Sequence, residues 1–323
     1  MSITIVLGQM AMIFAMIVIG VYLFQSKHLS NESSRQLSWI IVNITNPITL
    51  LCAAIKDENK IGAKELGVAA LCFVAVYIVL VGFAYLIPLI LGVEKNKRYE
   101  YRMLTIYGNV GFIGIPFASA VLGTSSLIYV AICGLVFNFI MYTYGMQELR
   151  NVADKQHKSA VLTETVDNTM DSDRQNKKTG IINSGTIMAV LTLVVYIANI
   201  QVPTGVGRFL EYIGNCTTFL SMIVLGGSVA QMIPAKVFRN IRLYGFILIR
   251  QIAVPIFIAF LLKPFGLPEL MLRTIVIMVA MPAANMPLMV SKQFGIEEEN
   301  LAAGIIFTTL ATIVTIPIVM LFL

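Results

Sequence analysis

Apolar residues in this chain arrive in blocks of about 20, the length that a helix rising 1.5 Å per residue needs to cross a hydrocarbon core about 30 Å thick. Ten blocks can be counted, near residues 4–24, 36–55, 66–92, 101–122, 126–147, 180–200, 208–231, 241–262, 270–291 and 301–322. The charges between them are too few to cover a soluble globule. They make up 12% of the 323 positions, with hydrophobic residues at 58%, against roughly 25% charged in an ordinary soluble domain. The pattern predicts an all-α integral membrane protein with ten transmembrane helices. The first block has no basic residue before it and is long enough to span, so it is expected to stay as a helix and not be cleaved.

The net charge of +6 orients such a chain and needs no nucleic-acid partner. With the N-terminus outside, the inward connections hold sixteen Lys and Arg, including the cluster Lys95, Lys97, Arg98 and Arg102, while the outward connections and helix ends hold six. That imbalance predicts both termini outside, in the plasma membrane. Residues 148–179 form the one long polar stretch and are expected to be a flexible cytoplasmic linker, with a small regulatory segment as the other reading. The linker divides the chain into residues 1–147 and 180–323, five blocks each. Five is odd, so the second half enters the membrane in the opposite orientation, and two inverted five-helix repeats follow.

The fourth and ninth blocks carry the helix breakers. The fourth contains Gly108, Gly111, Gly114 and Pro116, and the ninth contains Pro282 and Pro287 in MPAANMPLM; GIPF at 114–117 superposes on NMPL at 285–288. Proline lacks an N–H and clashes with the preceding turn, and glycine lets backbone bend. The expectation is two broken helices that cross, with Gly111, Gly114, Pro116, Pro282 and Pro287 forming the crossover. Such breaks free backbone groups in the bilayer, tolerable only beside protein or a polar cavity. The half-helix N-termini favour negative charge, which gives a carboxylate-binding centre without many charged side chains.

Asn109 and Asn285 adjoin these breaks and offer both donors and acceptors, to a ligand or as helix caps. In the second block, Asn43, Asn46 and Pro47 face the same role of lining a cavity, as do Asn215, Thr217, Thr218 and Ser221 in its repeat mate; helix-to-helix hydrogen bonding is the competing role. Arg250 lies well inside its block, where an unpaired charge is costly, and reads either as a substrate-facing or network arginine or as one snorkelling to the interface. The spans hold almost no carboxylates. Coupling to protons or sodium therefore stays open, with the substrate's own protonation another route, and no cofactor is expected.

Cys52, Cys72, Cys133 and Cys216 lack metal-ligand spacing and read as buried thiols, and His28 and His157 as surface residues. No nucleophile stands with a base at workable spacing, and GNVGFIG sits inside a span, without the strand–turn–helix context of a cofactor loop, so an enzyme is not expected.

The strings GNVGFIGIPF, MPAANMPLMVSKQFG followed by AAGIIFTTLATIVTIP, and the stretch Arg250–Pro255, in this order across nearly the whole chain, resemble the auxin efflux carrier family, whose bacterial members include malate permease-like proteins. The resemblance implies a secondary transporter with scaffold and transport domains each assembled from both repeats, elevator-like alternating access, and commonly a homodimer. It implies small organic anions as substrates, malate-like dicarboxylates ahead of auxin-like aromatic or other monocarboxylates, with a ligand sensor or channel as a lesser alternative. Carried over residue by residue, it assigns substrate-binding roles to Asn109, Gly114, Pro116, Asn285 and Pro287, beside which Asn46 and Arg250 stand as further candidates. The chain departs from the plant pattern in its short linker and in a third helix without the acidic residue of the plant support site.

Overall fold

The computed structural model describes residues 3–56, 61–163, 184–198, 200, 202–231, 240–294, 296 and 299–323. In the first half, α1 (Ile3–Gln25) precedes α2 (Asn31–Ile40) and α3 (Asn46–Lys56), which are joined through a π-helical turn at Ile41–Thr45. Then come α4 (Ala63–Ile90), α5 (Arg98–Ile106), and a π turn at Val110–Gly114 leading into α6 (Ile115–Leu122). The half ends with α7 (Leu127–Ile140), which passes through a π turn at Met141–Gly145 into α8 (Met146–Thr163). The second half contains α9 (Ser184–Ile197), α10 (Thr204–Gln231), and α11 (Ile241–Ile247) joined to α12 (Val254–Leu262) by a π turn at Leu248–Ala253. It closes with α13 (Glu269–Ala280), α14 (Asn285–Gln293) and α15 (Glu299–Met320).

The described residues of each apolar block are thus largely helical, and the fourth and ninth blocks are interrupted. Among the described residues, six helical stretches are long and apolar enough to cross a membrane: Asn31–Ile55, Ala63–Ile90, Thr124–Lys155, Thr204–Gly227, Ile241–Phe265 and Asn300–Met320. Their outward faces carry Leu71, Ile78, Phe260 and Val314 openly exposed, which suits hydrocarbon and not water.

The π turns have a local cause. Three of the four stand two residues ahead of a proline, namely Pro47, Pro116 and Pro255. A proline ring collides with the carbonyl four residues back in an α-helix. In each of these turns the residue just before the proline donates five residues back instead: Asn46 to Ile41, Ile115 to Val110 and Val254 to Ile249. The wider turn absorbs the ring, and the helix continues without a break.

The polar stretch expected as a linker begins as helix. Residues 148–163 continue α8, because Met146, Leu149 and Ala153 recur at helical spacing and are buried. Residues 164–179 lie outside the described residues.

The helix contacts fall into two sets, which meet where α7 packs on α9 and α3. In one, α1 lies along α10, and α3 contacts both α9 and α10. The axes of α1 and α10 approach so closely that a methyl at Gly226 would sit 2.2 Å from the Ile17 carbonyl oxygen, and one at Gly20 would sit 2.4 Å from that of Ile223. Only glycine permits this contact, the small-residue packing that holds membrane helices together without a hydrophobic driving force. In the other group, α4 packs on α5 and α7, α12 on α13, and α15 on α5 and α13.

Candidate functional site

The interruption of the fourth block falls at Tyr107–Asn109 and that of the ninth at Met281–Ala284, where the chain runs extended. The two breaks pair with each other. Gly108 stands opposite Ala283 in an antiparallel bridge, closed by Asn109 N–H donating to the Pro282 carbonyl at 2.7 Å and Ala284 N–H donating to the Tyr107 carbonyl at 2.8 Å. The Ala283 N–H turns the other way and donates to Thr308 Oγ1 of α15 at 3.1 Å. Backbone groups freed by one break are thereby satisfied by the other, as the membrane interior requires. Pro282 fits here because it supplies an acceptor and no donor is asked of it. Gly108 fits because a methyl there would press to 3.2 Å on the Met278 carbonyl.

Gly111, Gly114 and Pro116 lie beyond the break, in the resumed helix. Gly114 gives room to α13, since a methyl there would lie 3.1 Å from Met278 Sδ, and Pro116 sits in the first turn of α6 behind its π turn. Pro287 occupies the first turn of α14, where its missing N–H has no intrahelical partner to lose.

The crossing sorts the ends of the four half-helices by sign. The last turns of α5 and α13, the negative ends, meet at the Arg250 guanidinium: Nε donates to the Thr105 carbonyl at 2.6 Å and Nη1 donates to the Val279 carbonyl. Arg250 is 2% exposed, and no acidic side chain among the described residues bridges it. Its charge is balanced by two helix C-termini. Its guanidinium thus lies at the back of the crossover, and it is not among the residues that line the cavity described next.

The positive ends face that cavity, of about 410 Å³, within the range of about 300–1,000 Å³ usual for small-molecule sites. Asn109 to Phe112 and Ala284 to Met286, the starts of the two outgoing half-helices, form one wall. Asn43, Asn46, Pro47 and Leu50 form a second, and Val130, Ala131, Gly134, Phe137, Asn138 and Tyr142 of the fifth block complete it. Seven of the residues singled out in the sequence, Asn43, Asn46, Pro47, Gly108, Asn109, Gly111 and Asn285, are brought together here. Thr217 is not: it bonds Thr49 hydroxyl to hydroxyl at 2.8 Å, tying α10 to α3. Asn138 and Tyr142 were missed by the sequence reading, although a lone Asn in the apolar run LVFNFIM was a usable signal.

Asn109 caps the helix that begins at Val110, its Oδ1 accepting the Phe112 N–H at 3.0 Å. Its Nδ2 is buried without a partner. Among the described residues no acidic or basic side chain lines the cavity, so the charge its described wall presents comes from helix N-termini and amides. Tyr142 also borders a second, polar cavity of about 470 Å³ whose wall includes Thr143, Gln147, Arg150, Asn151 and Asp154. The central cavity thus adjoins the polar end of α8.

Residues 5–320 match the model of a family described as membrane transport protein. The chain belongs to this family. It is the auxin efflux carrier family to which the sequence motifs pointed, and its members are membrane transporters. A protein of Rhizobium meliloti (strain 1021) named "Putative malonate transporter" is 20% identical over 318 residues, covering 96% of this chain and 93% of that one.

Proposed function

We propose that the chain is a secondary carrier of small organic anions, dicarboxylates of malate or malonate size, that binds them in the cavity at the crossover. One observation carries this reading: an unpartnered, buried amide donor, Asn109 Nδ2, stands beside two helix N-termini in the wall of a cavity that no acidic side chain among the described residues lines. An apolar ligand leaves that donor unpaired, and a cation meets the wrong end of both helices. Gly114, Pro116 and Pro287 serve the site indirectly, by shaping the helices that present Asn109 and Asn285. An auxin-like aromatic carboxylate is the second reading, favoured by the apolar side of the cavity at Leu50, Phe112 and Phe137.

In this proposal the chain crosses the membrane ten times as two inverted halves, with both termini outside. The group containing α1, α3, α9 and α10 is the scaffold, and the group built on the crossover moves as an elevator. The cavity between α3 and α7 supports this, because a bound anion would lie at the boundary of the two groups. Pairing into a homodimer through the scaffold group completes the proposal.

Uptake of labelled malate and malonate into liposomes containing the purified protein tests the function. Saturable uptake is expected, and Asn285→Ala should lower uptake at limiting substrate by about tenfold or more, the worth of one hydrogen bond to a charged group. Folded protein that moves neither these anions nor an aromatic carboxylate would refute the carrier. Imposed pH and sodium gradients would identify the coupling. A cross-link joining α3 to α7 across the cavity should abolish flux while one-sided binding survives; undiminished flux after complete cross-linking would rule out the elevator.

A further inference from the structure

A second residue of the cavity wall carries an unpaired polar atom, of the opposite kind. Asn46 is 6% exposed and Asn109 is 3% exposed. Asn46 Nδ2 donates to the Gly111 carbonyl at 3.3 Å, and Asn109 Oδ1 accepts the Phe112 N–H at 3.0 Å. The Gly111 carbonyl and the Phe112 N–H belong to the same peptide group. The two amides therefore grip the two ends of one peptide, and that grip fixes which atom of each is left over. Asn109 is left with a donor, Nδ2, and Asn46 is left with an acceptor, Oδ1; both atoms are buried without partners.

Resting on the reading of this cavity as an organic-anion site, we infer that the ligand is a carboxylate that also carries an O–H donor, the carboxylate taking Asn109 Nδ2 and the O–H giving to Asn46 Oδ1. A fully ionised dicarboxylate has acceptors only. It would satisfy Asn109 and leave Asn46 facing a negative charge. A cation does not fit the acceptor, since no acidic side chain among the described residues lines the cavity to share it. The donor has two chemical sources, a hydroxyl beside the carboxylate or a second carboxyl that is still protonated. The second source would make transport of a dicarboxylate draw in a proton without any protein carboxylate, beside a cavity that none of the described carboxylates lines.

The test is calorimetric titration of the purified wild-type protein with two matched pairs, succinate against L-malate and malonate against hydroxymalonate, at pH 8 and pH 5. At pH 8 a hydroxyl is the one available donor, and the hydroxylated member of at least one pair should bind about tenfold more tightly, the worth of a hydrogen bond with an otherwise unsatisfied buried partner. A gap that narrows at pH 5 supports both sources of the donor, and a gap that persists supports the hydroxyl. Asn46→Leu, which removes the acceptor, should bring the affinity ratio within each pair toward one. That ratio does not depend on the folded fraction, and the wild-type comparison needs no variant. Equal affinities within both pairs at pH 8 would overturn the inference while leaving the carrier intact. If none of the four anions binds folded protein, the organic-anion reading itself fails.

Discussion

Arg250→Ala should yield little or no folded protein, with uptake lost along with it. The side chain donates to carbonyls at the ends of both α5 and α13, and it is buried where water cannot replace it. Its removal leaves two acceptors unsatisfied, at about 1–3 kcal/mol each. It also uncovers two helix C-termini, each worth up to about 2 kcal/mol in a buried setting. The total compares with the whole stability of an ordinary domain, about 5–15 kcal/mol. Arg250→Lys keeps the charge but replaces a fork that reaches two carbonyls with a point donor, so it should fold with a lowered melting temperature. The informative comparison is between stability and affinity. Because Arg250 stands behind the crossover and not in the cavity, folded Arg250→Lys protein should keep a near wild-type KM. A large rise in KM with an unchanged melting temperature would show that the arginine touches substrate.

The same residue shows where sequence reasoning stops. A basic residue inside an apolar block announces that something must balance it, whether a substrate, a network or the interface. Its partners are the backbone carbonyls of Thr105 and Val279, which have no signature in the sequence because every residue carries one. The helices were legible because hydrophobic length is a one-dimensional property: the described residues of the apolar blocks are largely helical, six helical stretches among them are long and apolar enough to cross a membrane, and both interruptions fall in the blocks that carried the breakers. The positions of the breaks were less legible. Gly114 and Pro116 look like the place where a helix fails, yet a π turn takes up the proline ring, and the chain breaks earlier, at Tyr107–Asn109. What fixes the break there is the pairing with Met281–Ala284, a long-range fact.

The site was legible in its residue types and illegible in its polarity. Asn109 and Asn285 stand in the sequence as amides beside the helix breakers and Asn46 as a cavity-wall candidate of the second block, and the structure gathers all three around one cavity. The sequence could not say which atom of each amide stays free, since that depends on both Asn46 and Asn109 holding the Gly111–Phe112 peptide. Leu149 and Ala153 teach a related lesson for α8. Their helical spacing was present among the charges of 148–163, but an apolar stripe so narrow is hard to tell from a solvated segment.

Asn109→Asp should leave the fold in place and remove transport at neutral pH. A carboxylate is as good an N-cap as an amide, so the Phe112 N–H keeps its acceptor, and negative charge at a helix N-terminus is favourable. Toward an anionic substrate, however, the variant loses a donor worth about 1.5–3 kcal/mol. It also sets two negative charges about 4 Å apart, at about 4 kcal/mol for an effective dielectric constant near 20. Together these predict a fall in affinity of about a thousandfold or more, at about 1.4 kcal/mol per factor of ten. The sign of the pH dependence follows from the same chemistry. The variant is impaired while its introduced carboxyl is ionised, and as pH falls that group takes up a proton and becomes an O–H donor. Protonated, it reproduces both functions of the amide, one oxygen accepting from Phe112 and the other donating to the substrate. Uptake by Asn109→Asp, measured as a fraction of wild-type uptake at the same pH, should therefore rise between pH 7.5 and pH 5. Taking the ratio cancels the change in the substrate's own protonation. A folded variant with wild-type uptake at pH 7.5 would remove Asn109 from the binding site. One that stays inactive at both pH values would mean that the position needs the amide's geometry and not only its donor.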